Sequence, residues 1–262
     1  MHYSIDSRTY SIPSEFYTQP QPSTSFYVEL EHWGIINVIG EQAEFFLQGQ
    51  LTNDVKLASD KTPQKQLLCN IKGQIVAKLL LLKQGSNFQL ICPKDLIEPV
   101  INLLKKTALL SKVVLTEDSY TPVYGMITNE NPSYISLEKP DLPKKEEIYW
   151  HYRQLQDKEF SIYPSTSKLF LPHHLSLETQ GWISFNKGCY RGQEIIARMH
   201  YRGKSKYGIV QWIQQQDPQI QPGSEVFGDN QEKYGEVLDI CPITDKDILV
   251  IACLKKGQNE FS

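Results

Sequence analysis

The sequence lacks the features that mark membrane, disulfide-stabilised and zinc-binding proteins. No run of about 18 apolar residues occurs, so we expect no membrane-spanning helix and no membrane partner. The five cysteines are odd in number and show no CxxC spacing, which favours free thiols in a reducing compartment over disulfides or a tetrahedral zinc site. Residues 1–25 contain no basic region followed by an apolar one, so they do not resemble a secretory signal. We therefore expect a cytoplasmic protein.

A strong charge of one sign is also missing. The 262 residues include 27 Lys and Arg against 30 Asp and Glu, a net charge of −3, so no overall field draws the chain to nucleic acid or membrane. The basic charge is concentrated between residues 187 and 206, where six Lys or Arg accompany one acid and leave the rest of the chain at −8. Such a cluster attracts carboxylates or phosphates, and the alternative is a solvated basic turn.

Hydrophobic patterning predicts an α+β fold over most of the chain. Alternating runs predict a β-hairpin at 26–40, and a loop at 84–87 is expected to join two further strands. Apolar residues at helical spacing predict helices within 41–50 and after Pro93. Beyond Tyr207, short β-like runs separated by Gly and Pro predict a small β domain.

Cys189 is the residue of the basic stretch whose side chain is best suited to nucleophilic chemistry. Lys187 and Arg191 stand two residues to either side of it, and Gly188 and Gly192 permit a sharp turn of the backbone. Apolar spacing predicts a helix that begins just after this stretch. Cations and a helix N-terminus both lower the pKa of a thiol and so favour its reactive thiolate. The alternative is a buried, inert cysteine.

The usual metal and nucleotide motifs are absent. His173, His174 and His200 lie on both sides of Cys189, but adjacent histidines point in different directions and no HxxxH or CxxC spacing accompanies them, so we expect no metal. The sequence contains no GxGxxG after a strand, no GxxxxGK[ST], no HExxH and no GxSxG. The sequence therefore lacks the motifs required for ATP binding, Rossmann-type dinucleotide binding and serine-hydrolase catalysis.

Three segments resemble motifs of one family, in the same order along the chain. KGCYRGQE at 187–194 is similar to the K-G-C-[FY]-x-G-Q-E motif of the YgfZ family, the folate-binding relatives of the glycine-cleavage T-protein, an aminomethyltransferase. FLQGQLTNDV at 46–55 and CNIKGQ at 69–74 resemble two further family segments, with Asn70 in place of the usual Asp. The match covers roughly residues 26–210.

The resemblance implies a T-protein-like fold of three modules that form a ring around a central folate-binding opening. The modules would be a discontinuous ferredoxin-like α+β domain, a second α+β domain and a C-terminal β-barrel. In this sequence they would cover 26–45 with 120–205, then 46–119, then 206–262. Residues 1–25, which are polar and contain three prolines, are expected to form a loosely ordered lead.

The resemblance also implies that the ligand is tetrahydrofolate or a one-carbon derivative of it. Trp33 and Trp150 match family tryptophans that contact folate, and a flat pterin gains contact area by stacking on indole rings. The alternative is that both are core tryptophans. We expect the carboxylates of the folate glutamate tail to bind the guanidinium groups of Arg191, Arg198 and Arg202.

The family's role implies an accessory protein that supports iron–sulfur cluster assembly or repair and indirectly affects tRNA modification. Cys189, with Lys187 and Gln193, would carry this role, and iron–sulfur client proteins would be its partners. Glycine cleavage also needs an acidic residue at the folate amine. Asp54 and Glu178 are the nearest candidates, but neither matches a catalytic motif, so catalytic turnover stays open.

Two other functions stay open as alternatives. A folate-dependent one-carbon transferase with a small-molecule acceptor would use the same fold. A direct tRNA-binding protein would use the basic stretch, with Tyr190 and Tyr201 as stacking faces for bases. The net charge of −3 and the lack of a recognised RNA-binding module argue against direct binding of nucleic acid.

Overall fold

The computed structural model describes residues 1–22, 24–128, 133–203, 205–228 and 231–257, and only the backbone of Arg202. Contacts within the chain divide it into two compact units. Unit 1 consists of Met1–Glu31, Pro122–Thr166 and Lys206–Ser262, and unit 2 of His32–Thr121 and Ser167–Ser205. The three modules implied by the resemblance have different boundaries and stay a prediction.

The described residues form strands and helices, numbered here along the chain. The strands are β1 His2–Ile5, β2 Arg8–Ser11, β3 Phe26–Glu29, β4 Trp33–Ile39, β5 Gln64–Cys69, β6 Ile75–Gln84, β7 Asn87–Pro93, β8 Val114–Asp118, β9 Tyr124–Ile127, β10 Tyr134–Ser136, β11 Lys144–Lys145, β12 Tyr207–Gln215, β13 Glu225–Phe227, β14 Lys233–Pro242 and β15 Asp247–Lys255. The α-helices are α1 Ala43–Gln48, α2 Ile97–Leu110, α3 Glu147–Gln156 and α4 Gln193–Arg202. Short 3-10 helices cover Ser14–Tyr17, Val55–Leu57, Lys94–Leu96 and Pro172–Leu175. The predicted α+β class is confirmed, and none of the described helices has the length and hydrophobicity needed to cross a membrane.

Unit 2 is built on a five-stranded antiparallel sheet in the order β5-β6-β7-β4-β8. The hairpin of β6 and β7 turns at 84–87, which confirms the predicted loop. One face of α2 is buried and consists of residues three or four positions apart: Ile97, Val100, Leu104 and Ala108. Pro99 falls in the first turn of α2, where its missing N–H costs no helical hydrogen bond, so the helix continues beyond it.

The β-hairpin predicted at 26–40 is wrong, although both of its strands exist. β3 pairs with β9 and β11 in unit 1, whereas β4 pairs with β7 and β8 in unit 2. Alternation of polar and apolar residues indicates a half-buried strand but does not identify the strand that pairs with it. The boundary between the units therefore falls after Glu31, inside the region predicted to be one hairpin.

The loosely ordered lead predicted at residues 1–25 is also wrong where the structure describes it. β1 and β2 form an antiparallel hairpin. Four apolar side chains of this segment are buried: Ile5, Tyr10, Ile12 and Phe16. Arg8 is only 3% exposed, and its guanidinium donates a hydrogen bond to the carbonyl of Ile162 at 2.8 Å. The anchoring residues are scattered among polar ones, so the average composition of the segment conceals them.

A buried carboxylate forms the polar centre of unit 1. Asp239 in β14 is fully buried and accepts hydrogen bonds from the Tyr163 hydroxyl at 2.6 Å and the Ser161 N–H at 2.9 Å. The Nε2 atom of His151 in α3 lies 3.3 Å from the same carboxylate. Burial disfavours the charged imidazole, but the charge of Asp239, the hydrogen bond to its carboxylate and the hydrogen bond to the Ile240 carbonyl together outweigh it and raise the pKa of His151. These contacts fasten α3 to β14.

The C-terminal strands form a four-stranded antiparallel sheet in the order β12-β15-β14-β13. The β-rich character predicted beyond Tyr207 is therefore confirmed. Among the described strands, β12 and β13 are the edges of this sheet. The closed β-barrel implied by the resemblance stays a prediction.

Candidate functional site

The three segments that resemble family motifs come together in unit 2. Segment 46–55 covers the end of α1 and the turn that follows it, and segment 69–74 is the turn between β5 and β6. Residues 187–192, which we name the KGC loop, lead directly into α4. Hydrogen bonds join the KGC loop to 46–55, and close backbone packing joins it to 69–74.

Lys187 fastens the KGC loop to the segment after α1. Its Nζ donates hydrogen bonds to the carbonyl oxygens of Gln48 at 2.8 Å, Leu51 at 2.6 Å and Asn53 at 3.0 Å. The Gln48 carbonyl is available because the last turn of a helix leaves its carbonyl groups without helical partners, whereas Leu51 and Asn53 lie in the turn that follows α1. Burial lowers the pKa of Lys187 to about 8, although the nearby Asp54 carboxylate opposes this. All three donors of the ammonium group are therefore used inside the protein.

Arg191 adds a second attachment between the same segments. Its Nε and Nη2 donate to Oε1 of Gln50 at 3.0 and 2.8 Å, and its backbone N–H donates to the carbonyl of Gly49 at 3.1 Å. Nη2 also lies 3.4 Å from the hydroxyl of Thr107 in α2. The guanidinium predicted to bind the folate tail is thus held by side chains of unit 2.

Gly192 brings the KGC loop against the turn between β5 and β6. Its φ is +79°, a left-handed conformation that favours glycine. A Cβ added at this position would lie 2.5 Å from the carbonyl oxygen of Asn70 and 3.1 Å from Cα of Gly73. Any side chain at Gly192 would therefore push the two segments apart.

Cys189 lies at the exposed tip of the KGC loop. The other cysteines, Cys69, Cys92, Cys241 and Cys253, are buried, and all five are among the described residues. Burial raises the pKa of the Cys69, Cys241 and Cys253 thiols, which keeps them protonated. Cys189 is therefore the thiol of this chain that a reagent or partner in solution reaches.

The residues next to Cys189 shape the loop instead of reaching into solvent. Oε1 of Gln193 accepts the N–H of Tyr190 at 3.3 Å, which closes the turn before α4. Tyr190 is only 6% exposed, and Nζ of Lys187 lies 5.1 Å from the centre of its ring. The idea that Tyr190 offers a stacking face to RNA is wrong because the ring is buried. Tyr201, the other candidate, is 72% exposed.

The two tryptophans expected to contact folate lie in different units. Trp33 begins β4 in unit 2 and is half-buried, so part of its indole is open to a ligand. Trp150 lies in α3 of unit 1 and is 5% exposed. A Cβ added at Gly125 would lie 2.5 Å from Cε3 of Trp150, so this ring packs directly on the backbone of β9. That environment is typical of a core tryptophan.

The other predicted cations lie on α4. Arg198 is exposed and its Nη2 lies 2.9 Å from the Glu194 carboxylate, one helical turn earlier. The side chain of Arg202 and the whole of Lys204 lie outside the described residues. The described part of α4 therefore presents Arg198 and Tyr201 on its exposed surface.

The sequence analysis missed Trp182, a buried ring that contacts two lysines. It is 5% exposed, and the Nζ atoms of Lys78 and Lys65 lie 4.4 and 5.2 Å from its ring. Its Nε1 has no hydrogen-bond partner among the described residues. Lys78 interrupts the apolar run of β6, and a lysine inside a buried strand signals that a partner lies on that face.

A second missed cluster surrounds Glu178. Its Oε1 lies 3.0 Å from Nδ1 of His173, and its Oε2 lies 3.5 Å from Nδ1 of His200. The His200 ring stacks on Phe185 with centroids 3.8 Å apart. Glu178, considered above as a catalytic acid, is thus held between two imidazoles. No group of three His, Cys, Asp or Glu within the described residues is placed to hold a metal ion.

Replacing Gly192 with alanine tests the contact between the KGC loop and the β5–β6 turn. We expect the free energy of unfolding to fall by more than about 3 kcal/mol, because the new Cβ strains the backbone and collides with the Asn70 carbonyl. Gly181→Ala is the matched control, since Gly181 also has a φ of +79° but a Cβ there has no heavy atom within 4 Å. It should lose only about 1–2 kcal/mol, the strain alone. Urea unfolding compares the two variants, and equal losses would contradict the proposed contact.

Comparison with known sequences finds relatives over most of the chain. It is 26% identical to the tRNA-modifying protein YgfZ of Colwellia psychrerythraea, over 88% of this chain and 85% of the relative. It is 26% identical to the protein of the same name from Escherichia coli O157:H7, over 84% of this chain and 82% of the relative. A protein of Haemophilus influenzae described as uncharacterized is 34% identical, over 77% of this chain and 78% of the relative. No family model matches.

The fold is similar to that of a solved structure, the glycine cleavage system aminomethyltransferase T of Bartonella henselae. The TM-score is 0.72 over 97% of this chain and 86% of the other, with 12% sequence identity. Likeness at this identity establishes a shared fold. The fold alone does not identify the family, but the sequence relatives and the three motif segments in unit 2 do. The chain belongs to the YgfZ family.

Proposed function

We propose that this protein is a folate-binding accessory protein that supports iron–sulfur cluster assembly or repair and so affects tRNA modification. The observation that carries the proposal is the KGC loop: Lys187, Arg191 and Gly192 hold it on unit 2, and Cys189 stays exposed at its tip. Membership of the YgfZ family, whose relatives are named tRNA-modifying proteins, supports the link to tRNA.

The ligand we propose is tetrahydrofolate or a one-carbon derivative of it. The shared fold with an aminomethyltransferase and the half-buried indole of Trp33 support this ligand. Arg198 and Arg202 on α4 are the cations we propose for the glutamate tail, with Arg191, whose Nε and Nη2 bond to Gln50, as a third. The proposal also includes two features of the fold: a ring of three modules and a C-terminal β-barrel.

Within the proposed site, Cys189 and its neighbours have different roles. Cys189 is the group that contacts the one-carbon unit or a client protein. Lys187 and Gln193 are positioning residues, because Nζ of Lys187 and Oε1 of Gln193 are bonded to backbone groups of the protein. Iron–sulfur client proteins are the partners that this arrangement serves.

The accessory role is favoured over aminomethyl transfer by the contacts of the two candidate acids. Oδ1 of Asp54 accepts hydrogen bonds from Nε2 of Gln48 at 2.9 Å and from the N–H of Lys56 at 3.2 Å. Glu178 lies between two histidines. Both carboxylates are thus engaged in local structure, which suits a binding protein better than a transferase that needs an acid free to meet the folate amine.

Titration with tetrahydrofolate, followed by tryptophan fluorescence, tests the ligand. We expect saturable quenching that is weakened in Trp33→Phe, because loss of indole area reduces stacking on the pterin. Trp212→Phe is the control, since Trp212 lies in the C-terminal sheet and its Nε1 is bonded to Gln214 at 2.7 Å. Trp150→Phe reports whether the buried tryptophan contributes. Absence of quenching in the unmodified protein would overturn the proposed ligand.

Replacement of Cys189 tests the role of the thiol. We expect Cys189→Ser to fold with an unchanged melting temperature, since the residue is exposed. The variant should fail to restore tRNA methylthiolation, an iron–sulfur enzyme activity, in a strain that lacks the native protein. Asn186→Ala, an exposed neighbour in the same segment, should restore it. Full restoration by Cys189→Ser would contradict a role for the thiol.

A further inference from the structure

Strand β12 is a long and regular edge of the C-terminal sheet. Its nine residues, YGIVQWIQQ, pair with β15 along their whole length without a register shift, and they include no charged residue and no proline. Natural edge strands are usually short, bulged, or supplied with lysine or proline, because an open edge pairs readily with another strand. The other described edge, β13, follows this rule, since it has three residues, begins with Glu225 and shifts register after Val226.

The hydrogen bonds at the two ends of the β12–β15 ladder show which backbone groups of β12 point away from β15. The N–H of Lys256 donates to the carbonyl of Lys206 at 2.7 Å, and the N–H of Gln216 donates to the carbonyl of Lys246 at 2.6 Å. Because bonded and non-bonded pairs alternate in an antiparallel ladder, the even-numbered residues of β12 bond to β15. The backbone groups of the odd-numbered residues point outward, and the central three are Ile209, Gln211 and Ile213.

The outward side of β12 is open, whereas the strand beside it is buried. Within the part of the chain that the structure describes, the outward backbone groups of Ile209, Gln211 and Ile213 have no backbone partner. Ile213 is 62% exposed, although residues 248–254 of β15 are all buried. A row of backbone donors and acceptors beside apolar side chains is a template for one more strand.

The order of side chains in β12 fits a second copy of the same strand. An antiparallel pair with a two-fold axis at Gln211 sets Ile209 against Ile213 of the second copy, and Val210 against Trp212. Apolar side chains thus face apolar ones on both faces of the sheet, which stabilises antiparallel pairs. Since residues 207–215 carry no charge, no like charges meet. A two-fold interface needs this self-complementarity.

We propose that β12 binds β12 of a second copy of this chain, antiparallel and centred on Gln211. The outward N–H and C=O groups of Ile209, Gln211 and Ile213 then gain partners, and the four-stranded sheets of the two copies join into one. An extended segment of a different protein would use the same backbone groups, but the symmetry of the strand about Gln211 favours its own copy. The proposal concerns unit 1 and does not depend on folate binding.

Sedimentation equilibrium over a range of protein concentrations tests the pairing. We expect the mass to rise with concentration toward that of two chains. Ile213→Pro removes one outward N–H and no bond to β15, so the dissociation constant of the dimer should rise by about tenfold or more. Ile213→Lys should raise it as well without altering the backbone, which keeps the test valid if the proline variant unfolds. Leu109→Lys is the matched control, because Leu109 is 79% exposed in unit 2 and its replacement should leave the dimer intact.

A cysteine at the proposed axis tests the register. Cys189→Ser provides the background, because it removes the exposed thiol. In that background, Gln211→Cys should form a disulfide between two copies under mild oxidation, since the facing Cα atoms of such a pair lie about 5.5 Å apart. Gln215→Cys is the control, because residues 215 of the two copies lie near opposite ends of the paired strands. A monomer at every concentration, a dimer that both Ile213 variants leave intact, or equal crosslinking at 211 and 215 would overturn the proposal.

Discussion

The attachment of one half-buried ammonium group to three backbone carbonyls is the interaction on which the rest of the site depends. A lysine amine loses hydration when it is buried, and the lowered pKa of Lys187, about 8, expresses that cost. The carbonyl oxygens of Gln48, Leu51 and Asn53 offset the cost and are themselves hydrogen-bonded. The same contact fixes the start of the KGC loop against a segment that precedes it by more than a hundred residues.

Arg191 and Gly192 extend this attachment, which fixes the loop that carries Cys189. Arg191 bonds to Gln50, and Gly192 lets the backbone approach the carbonyl of Asn70. The polar groups on either side of Cys189 are thus used inside unit 2, so the thiol at the tip is presented by a loop that has little freedom to move. A fixed, exposed thiol suits contact with a ligand or partner better than a thiol on a loose loop.

Local patterns in the sequence predicted the strands and helices of this fold better than they predicted which strands pair with one another. The helix of α1, the turn at 84–87 and the C-terminal strands follow from spacing alone. The pairing of β3 with β9 is a long-range choice that alternation cannot encode, and the buried residues near the N-terminus are diluted by polar neighbours.

The candidate site shows the same division between local and long-range information. The motif letters identified Cys189 and its surroundings, and the charge of Arg191 suggested that it faces a ligand. Charge alone did not reveal that its guanidinium also bonds to Gln50, because a half-buried cation satisfies its donors with an acceptor that the fold brings near. Trp182 was missed because its lysine partners come from distant strands.

Hydrogen–deuterium exchange of Lys187→Met, compared with the unmodified protein, tests this account most directly. We predict that peptides covering 46–55, 69–74 and 187–194 lose protection together, since all three segments depend on one attachment. Peptides from β14 and β15 in unit 1 should keep their protection. Loss confined to 187–194, with 46–55 and 69–74 unchanged, would contradict the claim that Lys187 holds the three segments in one site.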